Sequence, residues 1–330
     1  MRRVLITGGC GFIGSELVNT FFNEVKDFER LVVLDRLDYC SRLDNINPEV
    51  KTDFRFKFIE GDICNRDLVK YVLEENNIDT IINMAAQTHV DRSFDDSLQF
   101  TRDNILGTHT LLETCRKWGG LKRFVHMSTD EVYGESSHDE QNPSDEKSLL
   151  NPSNPYAATK AGIEFILKSY GTSYKFPWVI VRGNNVYGHG QYPDKLIPKF
   201  TLQLHWGKRV TVHGDGSAKR TFVHVTDMAR GIITVAQKGE LGHIYNIGSR
   251  NEYSVLEITK LLCDEMGARM EESIQWVPDR NFNDKRYFIS YSKVQALGWD
   301  EKISFKEGLR KTIDWYIERS DEYRRRLKDV

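Results

Sequence analysis

No C-x-x-C pair occurs in this 330-residue chain, and its five cysteines, Cys10, Cys40, Cys64, Cys115 and Cys263, are odd in number and widely scattered. That pattern argues against a disulfide framework and against a zinc site, and no metal is expected. Each thiol reads instead as a small apolar packing residue in a reducing compartment. No apolar run is long enough to span a membrane, and only Arg2 and Arg3 separate Met1 from the first apolar run, so no signal peptide is read there. The expected location is cytoplasmic. Basic charge is not in excess either: the formal net charge is -2, which gives no sign of a nucleic-acid surface. Internal repeats and low-complexity segments are absent. At 39% hydrophobic and 28% charged, the composition is that of an ordinary soluble globular protein, long enough for a large core and one or two domains.

What is present is an alternation of short apolar runs and amphipathic stretches. Val4-Leu5-Ile6 reads as a buried parallel strand, Thr7-Gly8-Gly9-Cys10-Gly11-Phe12-Ile13-Gly14 as a glycine turn, and the following stretch to about Val25 as a helix. Glycines at 8, 11 and 14 let the backbone approach a pyrophosphate resting on the helix N-terminus. Leu31 to Leu34 is the next strand and ends in Asp35, about 20 residues past the last glycine, the spacing of an acid that binds ribose hydroxyls. A carboxylate there repels a 2′-phosphate, favouring NAD over NADP, although Arg36 beside it can soften that preference. Phe54 to Ile59 is a third strand, ending near Asp62 and Ile63; Asp62 can accept from an adenine amino group or cap a helix starting near Asp67. Thr80 to Asn83 is a fourth. Ala85 and Ala86 after it suit close passage of a cofactor, and Thr88 and His89 follow. Ser97 to Trp118 has helical periodicity.

A fifth strand, Phe124 to Met127, runs into Ser128-Thr129-Asp130-Glu131-Val132-Tyr133-Gly134. This places a hydroxyl and two adjacent carboxylates at a strand's carboxyl end, where open α/β sheets bind ligands. Glu135 to Asn154 reads as a loop able to cover the site. Asn154 and Pro155 then start a helix to about Tyr174, which carries Tyr156 and Lys160 four apart on one face. Trp178 to Val181 is the sixth strand and leads into Arg182-Gly183-Asn184-Asn185. Beyond it the alternation loosens: helices at 195–207, 227–237, 254–266 and 305–318, extended segments at 220–225 and 243–247, and a charged tail, 322–328, read as a solvated helix end. The expected fold is a Rossmann-type doubly wound α/β sheet (1–185) with a smaller mixed α/β substrate lobe (186–330) interleaved with its end.

A phenol titrates near pH 10. One positive charge about 4 Å away, at an effective dielectric of about 20, is worth roughly 4 kcal/mol, or about three pKa units. Lys160, helped by an oxidised nicotinamide, would thus bring Tyr156 near 7, with Thr129 bonding the same substrate hydroxyl. Asp130 and Glu131 add what a plain dehydrogenase does not need. A ketone at C4 of a hexose acidifies the C5 proton; one carboxylate can remove it while the other protonates the departing C6 hydroxyl. Adjacent desolvated acids repel, so one stays protonated. On residue physics alone, Asp130 as a turn cap and Glu131 facing solvent are equally consistent.

Thr7-Gly8-x-x-Gly11-Phe12-x-Gly14, Ser128-Thr129-Asp130-Glu131-Val132-Tyr133-Gly134 and Tyr156-x-x-x-Lys160 together resemble an extended short-chain dehydrogenase/reductase, and more narrowly the nucleotide-sugar 4,6-dehydratases. The resemblance runs nearly end to end. It implies a bound NAD held by the glycine turn with Phe12, Ile13, Asp35, Arg36, Leu37, Asp38, Asp62, Ile63, Ala85, Ala86, Thr88, Tyr156, Lys160 and Asn185. It also implies hydride transfer run by Tyr156, Lys160 and Thr129, with Asp130 as the acid at C6 and Glu131 as the base at C5. The segments at 37–41, 87–91, 182–188 and 281–287 are closer to the UDP-glucose 4,6-dehydratase part of plant rhamnose synthases than to bacterial dTDP enzymes, which leaves UDP against dTDP open. The implied substrate contacts are Thr88, His89, Asn184, Lys195, Leu196, Arg220, Asn251, Arg280 and Tyr287 beside the catalytic set; each basic residue fits a diphosphate or a plain surface charge equally, and His89 is as readable as a satisfied loop histidine. A homodimer is implied, as is a separate epimerase/reductase acting on a 4-keto-6-deoxy product. His189 departs from the pattern, standing where such enzymes usually have Pro.

Overall fold

The computed structural model describes residues 1–136, 142–279 and 285–327. Seven parallel strands form its main sheet: β1 (Arg3–Thr7), β2 (Arg30–Asp35), β3 (Phe56–Glu60), β4 (Thr80–Asn83), β5 (Arg123–Thr129), β6 (Trp178–Gly183) and, after three short strands elsewhere, β10 (His243–Ile247). The order across the sheet is β10-β6-β5-β4-β1-β2-β3. Side chains alternate along each strand, so Val4 and Ile6 enter one fully buried core and Leu5 the other. That explains why these strands read as continuous apolar runs. The order reverses between β1 and β4, and such a reversal opens a crevice at the strands' carboxyl ends.

The six early strands and the helices Phe12–Glu24 and Pro155–Tyr174 follow the sequence reading within two residues. One alternative for Asp62 fails, and the helical stretch from Ser97 has an unexpected detail. The helix Arg66–Glu75 is capped by Asn65, which accepts from Leu68 N, while Asp62 accepts from Cys64 N instead. The stretch read as one helix from Ser97 widens into a π-helical segment at Thr101–Gly107 before continuing as Thr108–Trp118. The wider turn holds Asp103 and Asn104 both inward and buried, and such turns are frequent at functional sites.

The remaining strands are β7 (Asn185–Tyr187), β8 (Val210–His213), β9 (Lys219–His224), β11 (Glu252–Ser254) and β12 (Ile274–Val277). They form a three-stranded sheet, β11-β9-β7, and a parallel pair, β12-β8. A separate core including Phe200, Val212, Phe222, Leu262 and Phe305 lies between them and the helices Leu196–His205, Val255–Met266 and Phe305–Glu318. The charged tail is not merely solvated: Tyr323 is buried against Tyr316, and Glu322 pairs with Arg42. Lys328 lies outside the described residues. In the loop after Gly134, Ser144 bridges to Ile289 and Ser136 N donates to Arg286 O, so this loop pairs with the 285–290 segment. No described helix is long and apolar enough to cross a membrane.

Candidate active site

The carboxyl ends of β1, β2, β4, β5 and β6 open into one cleft. At β1 the glycine turn forms its floor. Gly8 holds a left-handed φ of 65°, and a Cβ on Gly14 would stand 2.1 Å from Gly8 O, so only glycine fits there. A Cβ on Gly11 would meet nothing nearer than 3.4 Å and would stand in the cradle itself. Exposed amides at a helix N-terminus beside such a cradle fit a pyrophosphate. Asp35 closes this end. Its carboxylate accepts from Cys10 N (2.9 Å) and Leu37 N (2.8 Å), and burial raises its pKa.

Arg36 does not reach freely into the cleft. Its guanidinium lies 2.6 Å from Asp103, 2.7 Å from Asp38 and 3.3 Å from Asp62. Gln87 Nε2 adds donors to Asp38 (2.8 Å) and Asp103 (3.2 Å). With its charge balanced by three carboxylates, Arg36 is poorly placed to attract a 2′-phosphate. The ligand atoms of Asp62, Cys64 and Asp103 lie within 4.8 Å of one another, but the Arg36 cation already serves these acids.

At the ends of β5 and β6 the chemistry gathers. Thr129 ends β5, and the tight turn Asp130–Tyr133 follows, with Thr129 Oγ1 accepting from Glu131 N. Asp130 is 2% exposed. Its carboxyl accepts from Thr129 Oγ1 (3.2 Å) and from Asn184 Nδ2 (2.6 Å). Burial first, then the neighbouring Glu131, push its pKa up to about 7 despite those donors. Glu131 is held by Asn154 Nδ2 at 3.0 Å. Asn154 also caps the Pro155–Tyr174 helix through Ala157 N, so one side chain fixes both the acid and the start of the Tyr156–Lys160 helix. Asp130 and Glu131 thus both face the cleft wall, and Glu131 does not merely point to solvent.

The Tyr156 phenol, expected near 7 with an oxidised nicotinamide beside it, is held above its ordinary value by the protein's own groups, by burial, then by Glu131, against a lowering hydrogen bond with Thr129. Lys160 does not offset that burial. Its ammonium donates to Met127 O at 2.8 Å, and burial lowers its pKa to about 8. Side-chain charge alone therefore does not activate the phenol.

The cleft wall contains Gly8, Gly11, Phe12, Ile13, Gly14, Asp35, Arg36, Asp38, Asp62, Ile63, Ala85, Ala86, Thr88, Thr129, Asp130, Glu131, Tyr156, Lys160, Asn184, Asn185 and Lys195. Among the described residues it does not contain Leu37, His89, Leu196, Arg220, Asn251 or Tyr287. Leu37 takes a φ of 55° in the bend after β2. His89 caps the Val90–Asp95 helix and sits 3.3 Å from Asp194, as a satisfied loop histidine would. Leu196 packs against the smaller core, and Asn251 N donates to Ser249 Oγ. Arg220 stacks on Tyr287 with its charge felt at Asp130. Asn184, expected on the diphosphate, spends a donor on Asp130. Lys195 Nζ donates to Thr88 O at 3.1 Å. Arg280 lies outside the described residues. Sequence reading named Asn154 only as a helix start, not as a partner of Glu131, and missed Gln87 and Asp103, as well as Tyr39, Tyr192 and Asp194, which meet at the cleft.

A parallel sheet with this glycine turn, and a Tyr-x-x-x-Lys helix packed beside β5, define a short-chain dehydrogenase/reductase. The model of the GDP-mannose 4,6 dehydratase family matches residues 5–312, and the chain belongs to that family. It is 48% identical over 317 residues to a trifunctional UDP-glucose 4,6-dehydratase/UDP-4-keto-6-deoxy-D-glucose 3,5-epimerase/UDP-4-keto-L-rhamnose-reductase of Arabidopsis thaliana, covering 96% of this chain and 47% of that protein. The chain thus spans about half the length of the plant relatives it matches. It is 42% identical over 322 residues to the dTDP-D-glucose 4,6-dehydratase of Homo sapiens, covering 96% of this chain and 90% of that one. The crystal structure of the Streptomyces venezuelae dTDP-glucose 4,6-dehydratase DesIV, which holds NAD, superposes with a TM-score of 0.92 at 38% identity, covering 97% and 98% of the two chains.

Proposed function

We propose that this chain dehydrates a nucleotide-activated glucose at C4–C6 with a retained NAD, taking UDP-glucose to UDP-4-keto-6-deoxy-glucose. The observation that carries the reading is the pair Asp130 and Glu131, side by side in the cleft with different partners, beside Tyr156. The glycine cradle with Asp35, Asp62, Ile63, Ala85, Ala86 and Thr88 fits the dinucleotide, with the nicotinamide end toward Tyr156 and Lys160. Bound NAD supplies the acceptor for the hydride that leaves C4 and returns to C6, and a positive charge near the phenol.

The chain's own residues handle the protons. Tyr156, with Thr129 beside it, takes the proton of the C4 hydroxyl as the ketone forms. Glu131 removes the C5 proton that this ketone acidifies. Asp130, with a pKa of about 7, keeps a substantial protonated fraction at neutral pH and gives its proton to the C6 oxygen, which leaves as water. After the hydride arrives at C6, Glu131 returns its proton to C5; Tyr156 releases the proton it took from the C4 hydroxyl and Asp130 regains one, so the site is reset with one water lost. Residues 1–185 serve the cofactor and catalysis, and residues 186–330 serve the nucleotide sugar, with β10 lent to the main sheet.

Higher identity to the plant UDP-glucose enzyme supports UDP; the fit to DesIV along nearly all of both chains favours dTDP as the second reading. A homodimer is supported by Leu98, Leu106 and Phe165, 80%, 53% and 59% exposed on neighbouring helical segments, and a monomer in sedimentation velocity would remove it. A separate epimerase/reductase would consume the product. Incubation with UDP-glucose and dTDP-glucose in parallel, followed by mass, tests the activity. A product lighter by one water supports it; a 4-epimer of unchanged mass, or no product, refutes it.

A further inference from the structure

Directly behind the acids lies an ion pair that the mechanism does not use. Glu164 and Arg182 have side chains 0% and 1% exposed and are bonded twice, Nε to Oε1 at 3.0 Å and Nη2 to Oε2 at 2.5 Å. Desolvating two charges offsets most of their attraction, and apolar residues of similar volume often hold a core as well. Stability alone is therefore a weak reason for the pair, and its contacts point elsewhere. Ser128 Oγ, on the residue before Thr129, donates to Glu164 Oε1 at 2.7 Å. Arg182 Nη1 donates to Tyr133 OH at 2.7 Å, and Tyr133 OH donates on to Asn246 of β10 at 2.8 Å. Ser128 and Tyr133 stand at either end of the turn that carries Asp130 and Glu131. Glu164 lies one helical turn beyond Lys160 on the helix that also carries Tyr156. Two residues past Arg182, Asn184 reaches Asp130.

We propose that the Glu164–Arg182 pair is a positioning unit for the proposed dehydration. It brackets the Asp130–Glu131 turn from both ends and locks it to the Tyr156–Lys160 helix, so that the proton-transfer groups of both halves of the reaction stay in register. The proposal rests on the 4,6-dehydratase reading. Glu164 has a second effect, through charge. The titratable groups around the Lys160 ammonium are Tyr156 and Glu164 on its own helix and His126 on β5, whose imidazole burial keeps neutral. Burial lowers Lys160, and Glu164 opposes that. Losing Glu164 therefore weakens the Lys160 positive charge, which helps Tyr156 ionise only together with the charge of a bound nicotinamide.

Three variants separate the two effects, each read by kcat, KM, pH profile and melting temperature with UDP-glucose or dTDP-glucose, whichever the wild-type enzyme dehydrates. Ser128→Ala cuts one bracket and leaves the pair. Its kcat should fall about tenfold or more at nearly unchanged KM and melting temperature, since misplacement of about 1 Å can cost 10²-fold. Glu164→Gln should lose more, and the pH at which its kcat rises should move upward. Glu164→Asp keeps the charge but shortens the reach by one methylene, so it should restore the pH profile without restoring the rate. If Glu164→Gln does not fold, Ser128→Ala and Glu164→Asp decide. Wild-type kcat in both, or a loss lying wholly in KM or melting temperature, overturns the proposal alone. A wild-type enzyme that makes no water-loss product from either sugar overturns the dehydratase reading itself, and the proposal with it.

Discussion

Two groups of carboxylates line the same cleft, and their surroundings treat them in opposite ways. Around Arg36, Asp38 and Asp62 share a guanidinium with Asp103. Burial would raise Asp38 and Asp62, but it is outweighed: backbone N–H donors, from Tyr39 and Cys64 respectively, and then the Arg36 cation leave both below the usual carboxylate range. At the end of β5, Asp130 meets, among the described residues, only neutral donors at hydrogen-bond distance, Thr129 and Asn184, and has Glu131 for a neighbour. Burial and that neighbour lift it to about 7. The difference is what partners each acid. A cation and main-chain amides keep carboxylates ionised and suit them to structure, whereas burial beside a second acid outweighs the Asn184 and Thr129 donors and favours a protonated form suited to proton donation.

The strongest way to break the comparison is to remove the chemistry from one group only. Glu131→Gln should leave C4 oxidation possible and stop water loss, and Asp130→Asn should slow water loss by about 10²–10⁴-fold, the usual contribution of a general acid or base. Absorbance at 340 nm reads the oxidation and product mass reads the dehydration. Water loss at the normal rate in Glu131→Gln would end its assignment as base.

Stability against pH sharpens the same contrast. Asp130 has a folded pKa of about 7 against about 3.9 for an unfolded aspartate, so folding favours its protonated form. There is no penalty below about pH 4; stability is then lost as pH rises through 7, where the cost levels off at about 4 kcal/mol. Asp130→Asn removes this cost. Urea unfolding should find the variant more stable than wild type at pH 8 by up to that amount, with the gap closing toward pH 4. A gap independent of pH would show that Asp130 titrates normally.

How much of this was legible in the sequence follows the same division. The strands β1, β2 and β4 to β6 are largely buried on both faces, unlike the half-buried edge strand β3, so their apolar runs are dense and their ends are marked by Gly8, Asp35 and Thr129. The residues at those ends could be named because a strand end fixes where a side chain must stand. β7, β8, β11 and β12 are only three or four residues each, with several half-buried positions, and such short runs carry no period to read. The π-helical turn that buries Asp103 could not be foreseen, because a single extra residue per turn leaves the apolar spacing nearly intact. The Tyr156 phenol is a different case: the expectation near 7 counted a nicotinamide's charge, and the side chains by themselves hold it above its ordinary value. The four-residue spacing put Lys160 on the right face, but nothing in spacing shows that its ammonium would bind Met127 O.

Arg36 offers the smallest effect and the opposite sign. Asp38 and Asp62 have folded pKa values below the unfolded ones, so their contribution is present above about pH 4 and is lost as pH falls through the folded values. Arg36→Gln leaves three carboxylates without their cation. With Arg36 and two of the acids about one-third exposed, the cost at pH 7 should be only about 1–2 kcal/mol. That cost should shrink on acidification below about pH 4, where the Asp130→Asn gap has also closed, and should weaken in high salt. Binding of NAD and NADP to the same variant, followed by fluorescence titration, separates structure from selectivity. If the acids only neutralise Arg36, the variant should disfavour NADP further, because an uncompensated negative cluster repels a 2′-phosphate. A gain in NADP affinity would instead mean that Arg36 had been holding Asp35 in place for the ribose, and that the two acid groups do not act independently.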